Sequence, residues 1–514
     1  MNRSMRLLIL AATLMLLIVP ALSYASALEK PLLIDAGLSN AYRTDIKFDA
    51  IGNAIAVFEQ KKDGVFRLYA NRYISGKAWA GPEVIDSGGG NAYRGKLAVD
   101  KFGNAIVVFK QERKTGYAIF ANHYVVGKGW QGAMSIDNAA GIIDGQAIAI
   151  DRNDRVAVAY EKQDGGHTGI FVSLYSGDAG WGVPSRIDSG AGNALFPQTA
   201  FDGKGNLHVV YYKEAANGFE VYAGAYDSSK SKWLDAVRIG SAPPGKTDSW
   251  KQKKSIISWD YPSEKPFISE IKANIYSGSY YYHAWSTSKV DARFRDAYTP
   301  SLVAGRNGKV TAFFINWDGS HMRAFSAGYT EDRGWGDAVL IDNGPSNVEH
   351  IRAAANSRGD MAIVFTQLND ISLRIYAKTY SEDSGWSPAR IIDAGDEEAY
   401  NPSIALKEDG TIVAVWCQWV RFSEELKAKN KYMRPYDNFA VVKSFVNIYR
   451  PGKGWGIANK LEDNDNETCG VRIASAPDGN AIAIYEEEGE YPEANGFVNR
   501  IFAVSVSVTG LDKH

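Results

Sequence analysis

The stretch IDAGLSNAYRTDIKFDAIGNAIAVFEQ, residues 34–60, returns as IDSGGGNAYRGKLAVDKFGNAIVVFKQ at residues 85–111. The Ile-Asp start recurs at Ile136, Ile187, Ile341 and Ile392, with 51 residues between neighbouring copies wherever the series is unbroken. A self-similar period of this size marks a chain built from stacked or ring-arranged units. Each unit offers four short segments of alternating or apolar β-type residues. In the first unit these are 42–48, 53–59, 66–73 and 82–85. Turn signals separate them: Asp49-Ala50-Ile51-Gly52-Asn53, Lys62-Asp63-Gly64 and Ser75-Gly76-Lys77.

Four antiparallel strands in about 50 residues is the period of a β-propeller blade. No segment of the unit keeps a 3.6-residue period, which excludes a helical solenoid. Between Ile239 and Ile341 lies twice the repeat length, with Val290-Asp291-Ala292 at its midpoint. The odd stretch ANIYSGSYYYHAW, residues 273–285, lies on the first repeat with Ala273-Asn274-Ile275-Tyr276 over Ala70-Asn71-Arg72-Tyr73, and with Trp285 close to the place of Trp79. It reads as a degenerate blade. The expectation is therefore an all-β chain, a single propeller of about nine four-stranded blades. The repeats start near residues 34, 85, 136, 187, 239, 290, 341, 392 and 461. An eight-bladed ring that leaves out 239–289 is the alternative. The last repeat has three strands, and KPLLID at the other end of the chain offers a fourth, closing the ring and hiding both sheet edges.

The first 27 residues read as a secretory signal peptide. Arg3 and Arg6 precede the apolar run LLILAATLMLLIVPAL, and Ala25-Ser26-Ala27 is a small-x-small cleavage pattern. The propeller domain then covers 28–514, and nothing in it is long and apolar enough to span a bilayer. The expected location is periplasmic or extracellular, and the expected state is a monomer. The chain carries 57 Lys and Arg against 59 Asp and Glu, a formal charge of −2. That balance argues against general nucleic-acid binding, which needs a basic face for phosphates.

Residues that recur in every unit point to structure. Trp79, Trp130, Trp181, Trp233, Trp285, Trp335, Trp386 and Trp455 share one position, expected to pack between sheets. Gly52-Asn53, Gly103-Asn104, Gly205-Asn206 and Gly479-Asn480 suit tight turns that need positive φ. Asp35, Asp86, Asp137, Asp188, Asp291, Asp342 and Asp393 open the loop into each inner strand, where Asp accepts hydrogen bonds from backbone.

The turns Ser176-Gly177-Asp178-Ala179-Gly180-Trp181, Thr330-Glu331-Asp332-Arg333-Gly334-Trp335 and Ser381-Glu382-Asp383-Ser384-Gly385-Trp386 resemble shortened Asp-boxes of sialidase-like propellers. The tryptophan follows glycine directly, and other copies, such as Ser75-Gly76-Lys77-Ala78-Trp79, carry no Asp. The whole chain also resembles secreted bacterial repeat proteins of the "GNAxAVF…GxGW" kind. Both resemblances imply a propeller, and neither implies an activity. Sialidase catalysis uses an arginine cluster, a tyrosine nucleophile and an acid, and no position here is assigned those roles.

Function is sought where one repeat departs from the others. Loops into the inner strand and loops between the second and third strands share one face. On that rim the candidates for ligand contact are Trp259 and Tyr261 of repeat 5, Trp419, Arg421 and Tyr432 of repeat 8, and Glu490 and Tyr491 of repeat 9. The basic insertion of repeat 8 and the acidic loop of repeat 9 are also placed to pair with each other. A second candidate set lies at the mouth of the central channel: Arg43, Arg94, His350, Arg352, Asn401 and Arg472. No HExxH, GxSxG, P-loop or dinucleotide fingerprint occurs. His123 and His283 read as structural, no metal ligand set is assigned, and no cofactor is expected, with calcium as the one alternative. Cys417 and Cys469 fall near the rim of adjacent blades, and an oxidising compartment favours a disulfide between them. The reading is an exported binding module for carbohydrate or a cell-surface polymer. An envelope protein-interaction scaffold is one alternative, and a glycan hydrolase or lyase with its site at the channel mouth is the other. The balance of these leans away from an enzyme.

Overall fold

The computed structural model describes residues 27–507 apart from 38, 138–142, 216–217, 241–299, 306–308, 319, 343, 370–371, 422–439, 478 and 492–496. Among the described residues eight antiparallel sheets follow one another along the chain and no helix occurs. Blade 1 is built from Ala41–Phe48, Ala54–Lys62, Val65–Tyr73 and Trp79–Val84, running from the inner to the outer edge. The other blades span 92–137, 143–186, 194–240, 301–340, 348–391, 399–460 and 467–507, and are numbered 2 to 8. In most of them the outer strand is split in two, as in Gly180–Trp181 and Ser185–Arg186 of blade 3.

The second strand of each blade is buried along most of its length because a blade lies on either side of it. Strand parity divides its side chains between the two neighbours. Ile55 and Val57 pack with Leu97, Val107 and Phe109 of blade 2. Ala54, Ala56 and Phe58 pack with Ile482, Ile484 and Ile501 of blade 8. The first and last blades are thus neighbours in the ring.

The blade count corrects the expectation of nine. Val210, Tyr212 and Val221 of blade 4 share one apolar cluster with Ala312, Phe314 and Ala327 of blade 5. The Tyr212 hydroxyl donates to the Ile315 carbonyl at 2.6 Å and accepts the Ile315 N–H at 3.0 Å. Direct contact of these two sheets leaves no ninth blade between them, so the ring has eight. The degenerate repeat, with Trp285 and His283, lies outside the described residues.

The recurrent residues act locally. Asp49 Oδ1 accepts the N–H groups of Ile51 and Asn53, both at 2.9 Å, and Gly52 takes φ 87° in the same turn. Asp100 and Asp202 hold equivalent turns. The Asn53 side chain then accepts the Ser75 N–H, which places first hairpins and outer turns on one face. On the opposite face, Asn91 Oδ1 accepts the Phe66 N–H, joining the second loop of blade 1 to the loop leading into blade 2. Asn193 and Asn347 repeat that bond. Trp79, Trp130, Trp181 and Trp335 pack on Tyr73, Tyr124, Tyr175 and Tyr329 of their own blades. Trp181 and Trp335 also meet His123 and His208 of the preceding blade, so the tryptophan does sit between sheets.

The Asp of the leading loop reaches further than its own turn. Asp86 Oδ1 accepts the Gly88 N–H, while the carboxylate also receives the Leu68 N–H and the Arg67 guanidinium. The same clamp recurs as Asp342 with Arg323 and Ala324, and as Asp35 with Arg500 and Ile501. Ala27–Leu28 and Leu32–Leu33 pair antiparallel with Phe497–Ser507, the third strand of blade 8. Among the described residues no helix is long and apolar enough to cross a membrane.

Candidate functional site at the channel mouth

Seven inner strands carry a β-bulge at the same place, with the register slipping between Tyr42 and Asp45, between Tyr93 and Lys96, and so on round the ring. The bulged residue is Arg43, Arg94, Gly145, Phe196, His350, Asn401 or Gly470, and each has a left-handed φ between 51° and 63°. Five of these are not glycine, and a left-handed L-residue costs about 1–2 kcal/mol. At three of them the neighbouring blade supplies compensation. Glu486 Oε1 accepts the Arg43 N–H at 2.8 Å, Glu59 that of Arg94, and Glu161 that of Phe196 at 2.9 Å. In these three cases a second-strand carboxylate caps the bulge of the next blade. At Gly145 and Gly470, both left-handed, a Cβ would run into the side chains of Glu161 and Glu486 as they stand.

Two further kinds of stitch join neighbouring inner strands. Thr44 and Gln146 donate to the carbonyls of Gly470 and Arg94, the bulged residues of the preceding blades. Asp45, Ser301 and Ser403 accept the N–H groups of Leu97, Ala353 and Ile473 in the following blades. The rim of the channel is thereby held by short polar bridges between blades.

Part of this rim is charged. Arg43 Nη1 donates to Glu59 Oε2 at 2.8 Å, and Arg94 Nε lies 3.3 Å from Asp144 Oδ1, whose other oxygen faces Lys110 Nζ at 3.3 Å. A ladder of alternating charge runs from Glu486 through Arg43, Glu59 and Arg94 to Asp144 and Lys110. The Glu59 carboxylate beside Arg43 holds that guanidinium above its usual range. Glu59, Asp144 and Glu161 are buried, while Arg43 and Arg94 keep part of their side chains exposed. These carboxylates were not among the candidates read from sequence. Superposing the second strands shows them, since Glu59, Glu161 and Glu486 each follow the large ring of Phe58, Tyr160 or Tyr485.

The predicted mouth residues divide accordingly. Arg43 and Arg94 belong to the ladder. His350 is buried, with Nδ1 3.2 Å from the Thr366 hydroxyl, so it packs inside a blade rather than facing the channel. Asn401 holds the bulge of blade 7. Arg352 and Arg472 stand two residues beyond the bulge, partly exposed, each donating to the carbonyl of the residue before it at 2.9 Å. At that position the shorter Asp45, Ser301 and Ser403 bridge to the next blade, whereas Lys96, Arg352 and Arg472 have longer, cationic side chains.

The rim set is less coherent. Trp419 is half buried against the cluster shared by blades 7 and 8, and its backbone N–H donates to the Glu398 carbonyl. Arg421 pairs with Glu397 in the loop leading into its own blade, rather than with the acidic loop of repeat 9. Tyr491 donates to Glu487 at 2.9 Å and lies under the Arg500 guanidinium at 5.2 Å, so it braces the Asp35 clamp. Glu490 is exposed at the end of the second strand of blade 8. Trp259, Tyr261 and Tyr432 lie outside the described residues, as does the basic insertion of repeat 8. Cys417 and Cys469 form a disulfide between blades 7 and 8, with Cα atoms 5.3 Å apart. Cys417 occupies the second-strand place that Glu59 holds in blade 1. Among the described residues no cluster of three or more His, Cys, Asp and Glu suits a metal ion.

No family model matches the chain, and no protein with a curated description does so. Solved structures with a similar course include a protein of unknown function from Dyadobacter fermentans, 10% identical, with 94% of this chain and 98% of that one covered at a TM-score of 0.41. An ulvan lyase, a polysaccharide lyase bound to -[GlcA(1-4)Rha3S]-, is 11% identical, with coverage of 71% and 82% and a TM-score of 0.38. An α-L-arabinanase of Penicillium chrysogenum, complexed with arabinobiose, is 12% identical, with coverage of 70% and 93% and a TM-score of 0.37. Likeness at this level carries nothing over about activity, substrate or partner.

Proposed function

We propose that this chain is an exported binding module whose ligand seat is the channel mouth, and that the ligand is a carbohydrate or cell-surface polymer bearing acidic groups. One observation carries the reading. The inner strands bring Arg43, Arg94, Lys96, Arg352 and Arg472 to the channel with part of each side chain exposed, while Glu59 and Glu161 are buried in backbone caps. Guanidinium groups recognise carboxylates and sulfates through paired N–H donors, and Asn401 adds an amide suited to hydroxyls. The carboxylates are committed to holding the ring, which favours binding over acid–base turnover. The reading includes removal of a leader before residue 28, closure of blade 8 by the segment that holds Leu32–Leu33, and function without a resident cofactor. The disulfide and the strand pairings support export and closure.

The test is a screen of residues 28–514 against neutral and acidic glycans, with reducing-end and unsaturated-product assays on every hit. Saturable binding to acidic glycans without product, weakening as salt rises, is the expected outcome. Product formation would overturn it in favour of a hydrolase or lyase. Silence in both assays would move the function to an envelope protein partner.

A further inference from the structure

The face that carries the first hairpins holds a second feature, independent of the channel mouth. At three junctions between blades the tyrosine near the end of a third strand meets a side chain from the preceding blade, Arg72 and His123 from its third strand and His208 from its second. Arg72 lies over Tyr124, its Cζ 5.0 Å from the ring centroid, and donates to the Tyr124 hydroxyl. His123 stands edge-on to Tyr175 at 4.5 Å, and His208 covers Tyr329 at 4.3 Å. At the junction of blades 5 and 6 the residue in register with Arg72 and His123 is Gly328, and the tyrosine is Tyr380.

The two clefts can be compared directly. Between blades 1 and 2, with Arg72 in place, a cavity of about 60 Å³ remains. Between blades 5 and 6 the cavity is about 240 Å³, lined among the described residues by Thr311, Tyr329, Met361, Tyr380, Lys309 and Glu382, with Gly328 in its wall. The lip also differs. Glu382 stands where blade 2 has Val126, and Lys309 where blade 1 has Asn53. Lys309 Nζ and Glu382 Oε1 pair at 2.6 Å, both about half exposed.

We infer that this cleft is a binding site for a small alkylguanidinium compound, which would occupy it as Arg72 occupies the cleft of blades 1 and 2. The guanidinium plane would lie on the Tyr380 ring, where a cation is attracted to the π face. The alkyl stem would cover Met361 and the wall vacated at Gly328. Glu382 would take the guanidinium through two parallel N–H bonds, releasing the Lys309 ammonium to water. The chain thus contains its own template for the ligand, an arginine side chain, and an added carboxylate to bind it.

Agmatine is the probe, titrated by calorimetry into the protein of residues 28–514. Saturable binding at one site per chain is expected. Gly328→Leu and Gly328→Arg fill the cleft from within; Gly328 is not left-handed and an added Cβ there meets nothing within 4 Å, so the backbone accepts a side chain. Each should weaken agmatine at least about tenfold, and Glu382→Gln, an exposed change that leaves the core untouched, should weaken it about tenfold as well. Absence of saturable binding to the unmodified protein overturns the inference. So does agmatine affinity that is unchanged in Glu382→Gln or in a folded Gly328 variant.

Discussion

The hydroxyl of Tyr212 both donates to and accepts from the backbone of Ile315, and this exchange joins the two blades between which a whole repeat of sequence is left out. Tyr212 occupies the second-strand position of Glu59 and Glu161, so a fully buried phenol replaces a carboxylate at this junction. Burial pushes the phenol pKa up, which keeps it a donor at any working pH. Tyr212→Phe leaves the ring in place and strands one buried N–H and one carbonyl. The expected loss is about 1–3 kcal/mol, read as a lower midpoint in urea denaturation with an unchanged slope.

The disulfide makes a different junction covalent. Cys417 and Cys469 tie blade 7 to blade 8 across 52 residues of chain. On the loop-closure argument the bond contributes about 4 kcal/mol. Cys417→Ala with Cys469→Ala should lower the unfolding free energy by an amount of that order. The native protein, unfolded without reductant, should show no thiol that reacts with a probe.

Much of this architecture could be read from repetition alone. Four strands per unit, the Asp-Gly-Asn turns, the tryptophans between sheets, the shared loop face and the Cys417–Cys469 pair all follow from local pattern plus phase. The blade count could not. Residues 239–289 keep length and register, and neither property tells whether a copy enters the ring, because that depends on which faces meet, and Tyr212 meets Ile315. The bulge was equally hidden. Arg43 and His350 look alike as polar residues at one strand position and share a left-handed backbone, but the Glu59 carboxylate holds Arg43 in the charged ladder, whereas His350 is buried against Thr366. Tyr491 looked like a rim platform because its partners, Glu487 and Arg500, are not adjacent in sequence.

Acid should loosen the hairpin of blade 4. Burial alone would raise the Asp202 carboxyl, but bonds from His208, from the side chain and backbone of Asn206 and from the Lys204 backbone bring it down to about 2. Its side chain is almost wholly inside. A carboxylate held below its unfolded value of about 3.9 stabilises the fold fully above that pH and loses the contribution as pH falls towards 2. The span corresponds to about 2 kcal/mol. Measured from pH 5 to pH 2, the stability of Asp202→Asn should fall less steeply than that of the unmodified protein by roughly that amount.

The Asp35–Arg500 pair fastens the start of the described chain to its last strand, with both side chains almost fully buried. Asp35→Ala removes the acceptor of three guanidinium contacts and of the Ile501 N–H, and with it the carboxylate that neutralises a buried cation. Breaking such a pair costs about 3–5 kcal/mol. Blade 8 and the Ala27–Leu33 strands should then open before the rest of the ring. Hydrogen exchange would read this as faster exchange at Ile501 and Ala503 with protection kept at Val209 and Val364. Uniform loss of protection would show instead that the ring opens as one unit.

At the channel mouth, binding and stability should come apart. Arg352 and Arg472 stand where Ser301 and Ser403 already supply the bridging contact in their own blades, and the guanidinium groups reach beyond what that bridge requires. Arg352→Ala and Arg472→Ala should each weaken an acidic glycan about tenfold while moving the unfolding midpoint little, since the surface pairs of partly exposed cations contribute about 0–1 kcal/mol to the fold. Glu59→Gln should do the reverse. It leaves the Arg94 N–H a poorer acceptor and Arg43 without its counter-charge, so stability falls by about 1–3 kcal/mol while glycan affinity is kept or raised. Loss of stability in the arginine variants, with affinity unchanged, would make those side chains part of the ring alone. Affinity for an acidic glycan would then have to be sought on the rim.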